Sequence, residues 1–498
     1  MNVKTSFYFL LFTLLCSCVA TKNRNYQFNQ KYSATAIRED VVLLKKILEA
    51  NHPSLYWHTP KDSINYYFDS VLYNIQDSLT EIQAKNKIAT AVNTIKCGHT
   101  TVRFSKQFVQ LAEKYKYPQF PLSIKVWQDS MVVLGRYNLE DSMLRRGTII
   151  TSINKQSVKE IINNITQYIH TDGNSLNFKY QILSNNFPAW YKNIYGLDSL
   201  YTIGFLDSNR QEQVTTIKVF NPKKDSSKKK EKEVVIKKTR AEKLLRIRSL
   251  SIDTALQTAF IRLTSFSKGK LRKFFRQSFK TLEQNNISNL VIDLRENGGG
   301  SVEKSVLLSK YLKDTAFKIG DSIAATIRNL TYKKHIKNAW LYNVMMQFGT
   351  KKLDDGMYHN RRYETHYFTP KTTHHFNGNV YLVQGGYTFS AATMFISSLY
   401  QQHNVTIVGE ETGGGYYGNS AMLLPNIILP NTKLNVRLPL FKLVMDKTRP
   451  KGRGIMPSIF ISPSSDAIKK GIDLKLEAIK KLIQDQKIVE VGETPTSK

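Results

Sequence analysis

Apolar residues recur at helical spacing early in the chain. Val41, Leu44, Ile47 and Leu48 share one helical face, and Tyr67, Val71 and Ile75 share another, which predicts amphipathic helices. Asn51-His52-Pro53 closes the first of them, because the residue before a proline is biased away from helical geometry. Residues 35–112 therefore read as an N-terminal helical domain ending in the segment Gly98-His99-Thr100. Near Tyr117 the texture changes. Short apolar runs, Leu122 to Val126, Met131 to Leu134 and Ile149 to Ile153, precede a helical pattern at Val158, Ile161 and Ile162, so residues 115–222 read as an α+β domain. From residue 247 to 490 strands and helices alternate, an α/β layer pattern. The runs 256–263 and 290–294 predict buried strands, and helices are expected at 268–284, 301–313 and 390–402. The stretch 315–376 has no clear period and interrupts this core, either as a lid or as an elaborated edge.

Composition narrows the picture. The chain has 498 residues, and 72 Lys and Arg against 39 Asp and Glu give a net charge of +33. No nucleic-acid motif accompanies the basic residues, so a lysine-rich surface or attraction to an anionic envelope surface is the expectation, and no nucleic-acid partner. The lysine clusters between 223 and 246 carry few apolar residues and read as a solvated linker. Lys4 followed by the apolar run Phe7 to Leu15 is an export signal over residues 1–17, too short to span a bilayer. It ends in Leu15-Cys16-Ser17-Cys18, which resembles a bacterial lipobox with Cys18 as the lipidated residue. An ordinary secretory signal is the alternative. Residues 18–34 read as a tether and 491–498 as a frayed tail. Val19 is not an acidic retention signal, so a lipid-anchored envelope protein is expected, with the outer membrane slightly preferred over the inner.

The chemistry concentrates at two glycine turns. Gly385-Gly386-Tyr387-Thr388-Phe389-Ser390-Ala391-Ala392 joins the apolar strand Val380 to Val383 to an apolar helix, and Asn297-Gly298-Gly299-Gly300 follows the strand ending at Leu294. A serine at a strand-to-helix corner stands at the positive end of a helix, beside backbone N–H groups free to bind an oxyanion. Its hydroxyl needs a base, either a lysine kept neutral by burial or a histidine. His99, in Cys97-Gly98-His99-Thr100, is the histidine candidate. A cysteine peptidase built on Cys97 and His99 is a weaker alternative. His374 and His375 are adjacent, a poor metal-binding spacing, and the chemistry requires no metal or cofactor.

Four segments together, Cys97-Gly98-His99-Thr100, Ile292 to Gly300, Thr388 to Ala392 and Val408 to Gly414, resemble the signatures of the C-terminal processing peptidases and their tricorn-type relatives, in the same order. The resemblance implies a ClpP/crotonase-like layered α/β catalytic core with Ser390 as nucleophile. It also implies that residues 115–222 are a PDZ-like domain that binds peptide ends by adding a strand; a structural module without a groove is the alternative. Processing peptidases of the dyad type place a lysine downstream of the serine, but Val405 to Pro430 holds none, and position 415 is glycine. His99 matches the tricorn-type base. The oxyanion donors implied are Ala391 with Gly299 or Gly300. Tricorn-type sites have a serine before the histidine, where this chain has Gly98, and a distant glutamate; Asp446 and Glu411 are the candidates to orient His99. The expected activity is a membrane-anchored serine endopeptidase acting on a peptide or protein substrate among exported proteins. The competing readings are a non-catalytic PDZ-like binding lipoprotein on a decayed core, and a hydrolase of another ester or amide.

Overall fold

A computed structural model describes residues 26–138, 143–222 and 239–492, with side chains through residue 486. The expected signal peptide, the lipidation site Cys18, most of the lysine-rich linker and most of the tail lie outside the described residues.

The first helices are α1 (Ala34–Asn51), α2 (Lys61–Tyr73) and α3 (Glu81–Asn93). Thr80 and Gln83 form a capping box at the start of α3, satisfying end N–H groups that a helix leaves open. Strand β1 (Val102–Arg103) follows. The middle module is an antiparallel sheet of β2 (Leu122–Trp127), β3 (Ser130–Arg136), β4 (Ile149–Ile153), β5 (Leu200–Leu206) and β6 (Glu212–Lys218), adjacent in that order. Between β4 and β5 run α4 (Val158–Thr166), α5 (Leu176–Asn185) and α6 (Phe187–Tyr195).

The main sheet uses β7 (Arg248–Asp253), β8 (Thr258–Leu263), β9 (Asn289–Asp293), β11 (Asn379–Gln384), β12 (Val405–Gly409) and β17 (Ile459–Phe460), adjacent in that order. Only β7 is antiparallel to its neighbour. Helices α7 (Leu271–Gln284), α8 (Val302–Ser309) and α10 (Ala391–Leu399) connect the parallel strands and cover one face through Leu290, Ile292, Leu382 and Ile407. Helix α11 (Leu474–Gly492) covers the other through Val291, Tyr381, Val383 and Val408. Burial on both faces is why these strands are nearly continuously apolar.

Between β9 and β11 come β10 (Ser322–Ala325) and α9 (Ala339–Gly349), and after β12 come β13 (Gly418–Ala421), β14 (Asn426–Ile428), β15 (Asn435–Arg437) and β16 (Phe441–Val444). Two sequence expectations meet the structure here. The stretch 315–376 is structured: β10 pairs with β16, which pairs with β13, extending a second sheet. It forms an elaborated edge and contributes no residue to the cleft described below. The N-terminal helices, in turn, have no core of their own. Ile37, Val41, Leu44 and Leu48 share one apolar cluster with Leu434, Val436, Leu440 and Leu443, because three helices alone cannot cover their apolar stripes. Within α2 the buried face is Ile64, Phe68 and Val71, whereas Tyr67 is exposed. Part of the expected linker is ordered too: Thr239 caps a short helix at Arg240–Leu245.

Candidate active site

Strands β9 and β11 are parallel neighbours in register, Ile292 beside Leu382. Their C-terminal ends therefore release both glycine turns on the same edge of the sheet, where open α/β sheets place their sites. Thr388 ties the second turn to the first. Its hydroxyl donates to the Leu294 carbonyl at 2.9 Å and accepts from the Gly385 N–H at 3.1 Å. The Phe389 N–H donates to the Asn297 carbonyl at 3.1 Å, and the Thr388 carbonyl accepts from Gly413 and Gly414. Held on three sides, Ser390 takes φ 55° and ψ −124°, a conformation that L residues rarely adopt and that persists only where the surroundings impose it. Ser390 stands at the N-terminus of α10 without using its hydroxyl as a cap. The Ala391 N–H has no hydrogen-bond partner among the described residues.

Gly299 lies against this corner. A Cβ there would sit 2.7 Å from the Ser390 Cβ and 2.9 Å from the Ala391 nitrogen, and φ is +96°, so only glycine fits. Its N–H donates to the Asn297 side chain at 2.9 Å. The Gly300 N–H has no partner among the described residues. Of the two glycines expected as donors, the structure thus leaves Gly300 free and engages Gly299.

His99 is brought in from the far end of the chain. Strand β1 pairs with β15, Val102 opposite Val436, and the Arg437 N–H donates to the Thr101 carbonyl at 3.0 Å. The imidazole packs on the Phe389 ring, centroids 4.8 Å apart. His99 and Ser390 line one cleft of about 1080 Å³, and no hydrogen bond joins them; such bonds are often loose before substrate arrives. Burial, then the charge of Arg437, pulls the His99 imidazole down to about 3. It is therefore neutral at pH 7, the form a general base must take, and the same burial lowers its affinity for the proton. Its Nδ1 has no partner among the described residues.

Neither expected orienter reaches it. Glu411 accepts from Arg453 at 3.0 Å and from the Gly454 N–H at 2.8 Å, fixing the 452–455 turn. Asp446 accepts from Thr448 and Arg449, both at 2.6 Å. Neither lines the cleft. Asp446 is committed to its neighbours Thr448 and Arg449, and Glu411 to the 452–455 turn that the fold brings beside it. Asp172, which sequence reasoning missed, does bear on the histidine segment: its carboxylate accepts from the Gly98 N–H at 2.7 Å. Burial pushes that carboxyl up to about 7, against the pull of the Gly98 N–H. The signal available in the sequence was the polar turn His170-Thr171-Asp172-Gly173-Asn174, which also takes the Lys96 carbonyl on its Gly173 N–H. Gly98 itself is explained by Phe389: a Cβ at 98 would meet the ring at 2.6 Å. Cys97 is buried, its thiol pushed up to about 11, and does not line the cleft, which removes it as a nucleophile.

Residues 257–461, from β8 through the serine corner to the last strand of the main sheet, match the model of peptidase family S41. They form an S41 peptidase domain. The chain is accordingly a serine-type peptidase, a hydrolase. Among solved structures, the chain is similar to mature CPAF complexed with lactacystin, at 12% identity over 90% of this chain and 98% of that one, TM-score 0.63. A serine-to-alanine variant of CPAF aligns at 13% identity over 91% and 97%, TM-score 0.66. The tricorn protease aligns at 13% over 91% of this chain and 37% of that one, TM-score 0.42. At such identities the first two likenesses speak for the fold. No curated protein matches.

Proposed function

We propose that this S41 peptidase is an endopeptidase working through a Ser390 acyl-enzyme with His99 as general base. The observation that carries the reading is the shared cleft: a strained serine corner, the open Ala391 N–H beside it, and a neutral, buried imidazole lining the same cleft. Ser390 Oγ attacks the peptide carbonyl as His99 takes its proton. The oxyanion is received by the Ala391 and Gly300 N–H groups, while Gly299 lets the backbone approach. His99 then protonates the leaving amine, and water releases the acyl group. Among the described residues no side chain takes the place of a triad acid at Nδ1; in this mechanism Asp172 positions the histidine through the Gly98 backbone.

The middle module supplies Tyr168, Ile169, Phe178 and Trp190 to the cleft wall, which supports the PDZ-like role of presenting or gating a peptide. The Cys18 lipobox supports anchoring to a bacterial envelope membrane, with exported proteins as substrates. No helix among the described residues is long and apolar enough to cross a membrane. The non-catalytic alternative is disfavoured by the intact serine corner.

The test is labelling of the detergent-solubilised full chain by a fluorophosphonate probe. Labelling should vanish in Ser390→Ala and fall at least a hundredfold in rate in His99→Ala; equal labelling of the wild type and Ser390→Ala would remove Ser390 as nucleophile.

A further inference from the structure

The wall of the cleft that carries His99 is built from cations and no acids. Lys85, Arg103 and Arg437 line it, and among the described residues no Asp or Glu does. Lys85 differs from the many surface lysines of this basic chain. Its residue is only 7% exposed, yet its ammonium has no hydrogen bond or ion pair among the described residues. The stem passes between two rings, with Nζ 5.1 Å from the centroid of Phe104 and 5.5 Å from that of Trp190. The acid one turn earlier on α3, Glu81, is spent elsewhere: its oxygens accept from Ser105 N–H and Oγ and from the Tyr26 hydroxyl. The residue is buried while its ammonium opens on the cleft, so an anion entering the cleft is the natural complement. Two arginines add charge to this wall: Arg103 is exposed and its Nε donates to the Thr101 hydroxyl at 3.2 Å. Arg103 and Arg437 lie diagonally on one face of the β1–β15 pair. Arg437 Nε is buried without a partner, and the two guanidiniums repel each other.

We propose that this part of the cleft is a specificity subsite for a carboxylate on the substrate peptide, an Asp or Glu side chain received by Lys85, with Arg437 and Arg103 adding positive charge to the same cleft. The inference rests on the peptidase reading above and names the substrate class for the same site. A carboxylate is the peptide group that complements a cleft lined by cations and no acids. It pairs with an ammonium as a point charge and with a guanidinium through two parallel hydrogen bonds. Aromatic rings around Lys85 hold the cation without neutralising it, so the site is preformed before the anion arrives.

The experiment uses the full chain in detergent and a peptide library blocked at both ends, followed by matched quenched peptides that differ only as Glu and Gln at the enriched position. The expected result is a kcat/KM ratio of roughly tenfold or more in favour of Glu, the range for a hydrogen bond to a charged partner. Lys85→Met should bring the ratio close to one, Lys85→Arg should restore it, and Arg437→Gln should reduce it. Thermal unfolding of each variant is recorded, because Lys85→Met also removes a packed stem. Should Lys85→Met fail to fold, the wild-type ratio and Arg437→Gln still decide. Equal turnover of the Glu and Gln peptides, or a preference that survives Lys85→Met, overturns the proposal. A preference that appears only in peptides with a free C-terminus assigns the cations to the terminal carboxylate and also overturns it. Binding of the same peptides to Ser390→Ala by fluorescence anisotropy reads the subsite without catalysis. A failure of fluorophosphonate labelling would therefore sink the peptidase reading, while this arm alone upholds or sinks the carboxylate site.

Discussion

The substitution Gly98→Ala adds one methyl group to the turn that carries His99, and its effect can be worked from the structure. The new Cβ would stand 2.6 Å from the Phe389 ring, where ordinary contact begins at 3.4 Å. The ring must retreat by most of an ångström. It has nowhere to go: Phe389 is 5% exposed, with Phe178 stacked on it at 4.6 Å and His99 at 4.8 Å. Overpacking of this kind costs about 1–3 kcal/mol. The greater effect falls on chemistry. Phe389 is covalently joined to Ser390 and in contact with His99, so a shift of this size displaces nucleophile and base relative to each other, and a misplacement of about 1 Å costs roughly a hundredfold in rate. The assay is the second-order rate of fluorophosphonate inactivation, with thermal unfolding in parallel. Gly98→Ala should inactivate roughly a hundredfold more slowly while remaining folded. Trimming the obstacle should couple to it: Gly98→Ala with Phe389→Leu should recover part of the rate, and the double mutant should lie well above the sum of the single losses. A Gly98→Ala protein that reacts at the wild-type rate would refute the packing argument, because the ring would then be free to move without disturbing the serine.

Four further outcomes follow. Removing the positive charge in Arg437→Gln should raise the His99 pKa, since burial and that charge hold it down; the acid limb of the pH profile for inactivation by an uncharged probe should move to higher pH, and an unmoved limb counts against His99 as the base. Asp172→Asn keeps an acceptor for the Gly98 N–H and should retain most activity, whereas Asp172→Ala leaves a buried donor unpaired, about 1–3 kcal/mol, and should lose both stability and rate. His52, His99 and His170 are each pulled down to about 3 by burial, so the unfolded chain binds their protons first: the stability they confer is complete above about 6.5 and is lost as pH falls toward 3, partly offset by Asp172, whose raised carboxyl works in the opposite sense; urea midpoints should drop from pH 6.5 to 4.5, and less so in His170→Asn. Cys18→Ser should release the protein from the membrane fraction, and unchanged partitioning would dismiss the lipid anchor.

The main sheet was readable in advance because its strands are buried on both faces and its turns are marked by glycine. Runs such as Leu290 to Leu294 and the corner at Thr388 to Ala392 announce themselves locally. The N-terminal helices were readable as helices and misread as a domain, since periodicity reports which face is apolar and says nothing about what covers it. The cover is Leu434, Val436 and Leu440, far away in sequence. The same limit applies to the site. Ser390 lies in a local motif, but Asp172, Lys85 and Arg437 become neighbours of His99 only through the fold. Glu411 and Asp446 were named because they are acids in suggestive segments, and each turned out to be claimed by an arginine, Arg449 three positions after Asp446 and Arg453 on the far side of four strands from Glu411. The stretch 315–376 hid its strands because they are short: β10 has four residues, too few for a period to register.

The pairing of β1 with β15 sets the order in which this enzyme can come into being. A ribosome delivers the imidazole early, the hydroxyl much later, and the strand that aligns the imidazole later still. Until Asn435 and Val436 are docked on Arg103 and Val102, the chain holds the parts of a protease without the tool. Contacts so distant in sequence form slowly, so activity is withheld until nearly all of the polypeptide has been made and folded, and a product cut short before that strand would be inert.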